Sequence, residues 1–140
     1  MSLLSRAMLA FAAGCGGALV NSLAAWLFGL LGITAALGVA IAPALTPEWL
    51  YPRLVWGGLW GFLFLLPLLR GRPWPAGLLF GLGPALVQLL VVFPVKTEAG
   101  ILGLGLGSLT PLFVLLLAAI WGLATAALLA RTEWSARSAP

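Results

Sequence analysis

Four long apolar stretches run through this chain almost free of ionic residues, and its seven basic and three acidic side chains fall at their ends and in the connections between them. In hydrocarbon the backbone must satisfy its own polar groups, which leaves helices as the structure such stretches can adopt. Roughly 20 apolar residues at 1.5 Å each span about 30 Å of lipid. On that length the sequence predicts spans from about Ala7 to Leu30, Pro52 to Leu69, Pro75 to Phe93 and Pro111 to Ala130. The composition agrees: 63% of residues are apolar and 7% charged, against about a quarter charged in soluble domains, and mean hydropathy is +1.17. The expected fold class is an all-α integral membrane bundle, with residues 1–140 forming a single four-helix domain.

Prolines at three of the four predicted starts suit a position whose amide hydrogen would have no helical partner. Cytoplasmic connections carry the excess of Lys and Arg. Arg6, Arg70, Arg72, Arg131 and Arg137 share one side of a four-span topology, opposed by Glu133, whereas Arg53 and Lys96 balance Glu48 and Glu98 on the other. Both termini are therefore expected in the cytoplasm, in a bacterial inner membrane. The net charge of +4 follows from topology and implies no nucleic-acid partner, whose recognition needs a basic face or stripe.

Arg6, a short apolar run and Ala12-Ala13-Gly14-Cys15 imitate a lipoprotein signal. A signal segment leads into soluble chain, yet apolar sequence continues well past Cys15. An uncleaved first helix with Cys15 as a small core residue is the expectation, ahead of lipidation. A single cysteine permits no internal disulfide.

The two halves share short matches. Ala18-Leu19-Val20-Asn21 parallels Ala85-Leu86-Val87-Gln88, Trp60-Gly61 parallels Trp121-Gly122, and Thr46-Pro47 parallels Thr110-Pro111, each Thr-Pro pair reading as an N-cap and first helical residue. A duplicated helical hairpin would give two copies in the same orientation. Each half also contains an apolar piece too short to cross, 33–42 and 99–109. The first follows an expected break around Gly29 to Gly32. Both pieces are expected to lie at the outer interface, the alternative being re-entrant segments, because neither offers polar side chains to line an aqueous cavity.

The chain has no His, and its sequence contains no Asp. A His-based triad, an imidazole metal site and histidine-ligated haem or chlorophyll are thereby excluded, and one cysteine forms no thiolate cluster. No catalytic residue, metal or cofactor is expected, although a non-ligated lipid or pigment remains compatible with the composition. Gly103-Leu104-Gly105-Leu106-Gly107 lacks the strand, the Lys-Ser/Thr pair and the acidic partner of a nucleotide loop. The spacings Gly57-xxx-Gly61, Gly77-xxx-Gly81 and Gly103-xxx-Gly107 instead suit close helix packing.

Candidate polar residues inside the membrane are Asn21, Ser22 and Gln88, the last four residues beyond Pro84, which leaves the carbonyl of Phe80 without its helical donor. Amides and a freed carbonyl could hold a cation, water or a polar substrate. The competing reading is that Asn21 and Gln88 bond to each other or to backbone. No ionisable residue is placed at membrane depth. Glu48, Tyr51, Arg53, Lys96 and Glu98 would form an outer charged cluster suited to lipid headgroups or to screened ion pairs. Trp49, Trp74 and Trp134 fit interfacial anchors, while Trp26, Trp56, Trp60 and Trp121 face lipid, protein or an apolar ligand.

The run Gly77-Leu78-Leu79-Phe80-Gly81, then Gln88-Leu89-Leu90 and Phe93-Pro94 before a glycine-rich connection, resembles small bacterial inner-membrane proteins of the YagU-like kind. The resemblance covers the third span and its exit, and implies an inner-membrane location with no reaction. The leading functional expectation is a non-enzymatic accessory subunit that packs through glycine faces against a larger membrane complex or as a homo-oligomer. The alternative is a small oligomeric channel or transporter using Asn21, Gln88 and the backbone near Pro84. Lipid binding or chemistry at the outer cluster is a third reading.

Overall fold

A computed structural model describes residues 2–69 and 71–132, so Arg70, Glu133, Trp134 and Arg137 lie outside the described residues. The described residues form helices and their connections, with no strand among them. α1 covers Leu3–Leu30, α2 Ile33–Ala36, α3 Pro47–Gly61, α4 Pro73–Val87 and α5 Thr110–Ala130. Three helical runs are long and apolar enough to cross a membrane: Leu3–Leu30, Pro73–Lys96 and Thr110–Ala130.

The expected break after α1 is present. Gly32 takes φ +78°, and α2 ends within one turn. The starts expected at Pro52 and Pro75 move upstream. Thr46 caps α3 by accepting a hydrogen bond from the Trp49 amide at 3.3 Å, with Pro47 as first residue. Pro52 thus lies inside α3, and Pro73 rather than Pro75 opens α4. The cap outweighs the later proline because it satisfies an amide that the helix start leaves without a partner. The matching Thr110 does not cap. It is the first residue of α5, fully buried, and its hydroxyl has no partner among the described residues.

α3 gives way at Phe62 to a 3-10 turn ending at Leu65. α4 continues beyond Pro84 and widens into a π-helix from Gln88 to Lys96. That widening adds a residue to each hydrogen-bonded ring, so side chains beyond Gln88 are rotated from where an α-helix would carry them.

Glycines set the order of the bundle, and they do so inside this chain. A Cβ on Gly14 would strike the Gly57 carbonyl and the backbones of Gly58 and Gly61, which places α1 against α3. Gly17 meets Trp121 and Thr125 and joins α1 to α5, while Gly77 and Gly81 meet Gly122 and Ala118 and join α4 to α5. The faces containing Gly57-xxx-Gly61 and Gly77-xxx-Gly81 are therefore closed by the chain itself. Gly103 and Gly107 do not belong to a helix face. Both have positive φ in the connection to α5, Gly103 against Phe93 and Thr110, Gly107 against the Gly38 carbonyl.

The resulting order is α3, α1, α5, α4, with neighbours antiparallel. α3 and α4, at the two ends of this order, approach through Phe64 and Phe80, whose rings meet edge-on at 4.9 Å, and through Trp60 and Leu63 beside Gly83. Beyond that contact they diverge toward the end of the bundle that holds the 31–46 and 97–109 connections, here called the upper end. The two apolar connecting pieces join there. Ala40 donates its amide to the Leu106 carbonyl at 2.8 Å, and Val39 is buried in one cluster with Ala25, Phe113 and Leu117. The first piece packs on the upper end of the bundle through Thr34, Val39 and Ile41, and the rest of its residues are exposed.

Candidate functional site

The divergence of α3 and α4 leaves a cavity of about 250 Å³ in the upper half of the bundle. α1 contributes Asn21 and Ser22, α3 Arg53 and three indoles, the α4 run Pro84 and Gln88, and α5 Trp121. Ile41 and Pro43, from the connection after α2, also line it.

Trp49, Arg53, Trp56 and Trp60 all line the cavity. Their spacing of four, three and four residues puts them on one face of α3. The guanidinium carbon of Arg53 sits 4.6 Å from the centre of the Trp49 ring, within cation–π range. Trp56 and Trp60 meet edge-on with ring centres 5.9 Å apart. On the far wall, the indole N–H of Trp121 donates to the Gly14 carbonyl at 3.1 Å, leaving the ring itself as lining.

Arg53 is the residue that sequence reading misplaced. It does not join an outer cluster. Its Nε donates to Ser22 Oγ at 2.9 Å and its Nη2 to Asn21 Oδ1 at 2.6 Å. Asn21 in turn donates Nδ2 to the Leu117 carbonyl at 2.6 Å, so one chain of bonds ties α3 through α1 to α5. At 1.5 Å per residue, Arg53 lies about 9 Å inside α3 and Asn21 about 13 Å inside α1. An ionisable group therefore sits well below the helix ends. Among the described residues its partners are two neutral oxygens and an indole face, with no carboxylate paired to it. Glu48, Tyr51, Lys96 and Glu98 are exposed, and among the described residues no ion pair joins them.

The remaining intramembrane candidates divide. Ser22 is fully buried beneath Arg53. Gln88 and Pro84 line the cavity opposite Arg53, and Gln88 bonds to neither Asn21 nor any other described residue. Phe80 lies elsewhere, its ring packed on Phe64. Asn21 follows the competing reading in part, since one of its partners is backbone. The Thr46-Pro47 cap, read from the sequence and present in the structure, would have located Arg53 had the 49/53/56/60 face been read with it.

A guanidinium has five N–H donors, and two are engaged here. The other three have no protein acceptor among the described residues. A cation, one ligand the two amides would suit, is opposed at this position. At about 5 Å and an effective dielectric near 20, like charges repel by about 3 kcal/mol. Arg53 makes the cavity electropositive, and four indoles line it. Comparison with family models, curated proteins and solved structures returns no match.

Proposed function

We propose that this protein is a non-enzymatic integral membrane protein of the small-carrier type, which binds a solute in the Arg53 cavity. It crosses the bilayer four times with both termini cytoplasmic, in a bacterial inner membrane. Support for the fourth crossing comes from length and direction. α3 and its 3-10 extension cover Pro47–Gly61 and Phe62–Leu65, about 30 Å at their respective rises, and α3 runs antiparallel to its neighbour α1.

One observation carries the functional reading: an arginine inside α3 that lines a cavity, has donors to spare and is matched by no described carboxylate. Ionisable residues at such depth are costly and mark substrate or ion pathways. The accessory-subunit expectation rested on glycine faces left for a partner, and those faces are filled within the chain.

Site-directed labelling in liposomes tests the reading. In a Cys15→Ser background, Gln88→Cys should react with a small charged thiol reagent applied from one side of the membrane, as should the exposed control Thr97→Cys. If Gln88→Cys stays unreactive from both sides while the control reacts, the cavity is closed to solutes and the proposal fails.

A further inference from the structure

We infer that the ligand of this cavity is an apolar monocarboxylate: a molecule with one carboxylate at the end of an aromatic or alkyl body. The inference deepens the solute-binding reading and depends on it.

Charge sets the first limit. Arg53 supplies one positive charge, and its contacts among the described residues are to neutral groups and an indole. A monoanion neutralises it, whereas a dianion would leave a net negative charge in a low-dielectric cavity, which is costly. Donor geometry sets the second. Ser22 and Asn21 occupy Nε and Nη2, which leaves both N–H groups of Nη1 and the second of Nη2. That free end of the guanidinium matches the two oxygens of one planar carboxylate. The Gln88 amide, with no partner among the described residues, lines the same cavity and adds a further donor.

The rest of the lining decides between a carboxylic acid and a phospholipid headgroup, both of which carry a single-charge oxyanion. Beyond Arg53, Asn21, Ser22 and Gln88, the surfaces offered are Trp, Phe, Pro, Ala, Gly and branched apolar side chains. A headgroup continues past its phosphate into glycerol and polar alcohol, which would meet indoles and alkyl groups with few partners. An acid whose polarity ends at the carboxylate has no such cost. The volume, about 250 Å³, falls just below the roughly 300–1,000 Å³ of drug-sized sites. It suits a short body.

Saturable binding of radiolabelled octanoate and, separately, phenylacetate to the detergent-purified full chain tests this assignment, with 1-octanol and dihexanoyl phosphatidylglycerol as competitors. At least one acid should bind saturably, octanol should compete far more weakly, and Arg53→Gln should weaken binding at least tenfold. Arg53→Lys keeps the charge but loses the fork. It too should weaken binding about tenfold, and a wild-type melting temperature would show that the loss is not unfolding. The assignment is overturned if neither acid binds, if octanol competes as well as octanoate, or if folded Arg53→Lys and Arg53→Gln bind normally. It is also overturned if the phosphatidylglycerol alone binds. A reactive Gln88→Cys with no carboxylate binding would sink this inference and leave the solute-binding reading intact. An unreactive Gln88→Cys would sink the reading itself.

Discussion

Asn21 does more than fill a polar gap in α1. Its carbonyl holds Nη2 of Arg53 while its amide holds the Leu117 carbonyl, and each would lose its partner with the side chain. Asn21→Leu should therefore cost about 1–3 kcal/mol, read from unfolding in mixed micelles. Asn21→Asp separates structure from charge. It keeps an acceptor against Arg53 and turns that contact into an ion pair but loses the donor to the Leu117 carbonyl, so some stability should be lost and binding is compared in protein shown to be folded, where the cavity has lost its free positive charge. Anion binding should then fall about tenfold or more, and unchanged binding in a folded Asn21→Asp protein would show that Arg53 does not act through its charge. Arg53 was hidden from sequence reading by a boundary. With the second span begun at Pro52, Arg53 fell on the membrane surface; with α3 begun at Pro47, it lies nearly two turns inside.

Among the elements, helix seams depend on glycines that have no room to grow. A side chain on Gly122 would collide with the Gly77 backbone, whereas one on Gly16 meets chiefly the end of the Leu128 side chain. Backbone cannot step aside as a flexible side chain can. Gly122→Ala should destabilise by about 1–3 kcal/mol through overpacking, and Gly16→Ala by clearly less, in the same unfolding assay. Equal effects would mean that the α4–α5 seam is looser than described. The glycine spacings in α3 and α4 were legible as packing signals, but their partners were not, because small residues permit close approach without specifying which helix approaches. Gly103 and Gly107 shared that spacing without the helix. Their positive φ serves a turn, and spacing alone cannot distinguish a turn from a helical face.

For the molecule as a whole, antiparallel neighbours in the order α3, α1, α5, α4 require an even number of crossings if α3 spans with the rest. Cysteines placed near residues 2 and 132 in the Cys15→Ser background should then be labelled from the same side of sealed vesicles. Opposite labelling would leave α3 outside the count and limit the protein to the three long helices.

Lipid as the surrounding medium, the approximate helical stretches and the lack of histidine chemistry were determined by the sequence alone, because they depend on which residue types occur and how far apart breakers stand. The cavity was decided only in three dimensions. α3 and α4 touch near Phe64 and Phe80 and separate above them, and Asn21, Arg53 and Gln88 come to surround one space although the chain separates them widely. Local periodicity fixes the face on which a residue lies. Which faces meet is settled by the close fit of glycines and indoles across helices, and a one-dimensional pattern does not contain that information.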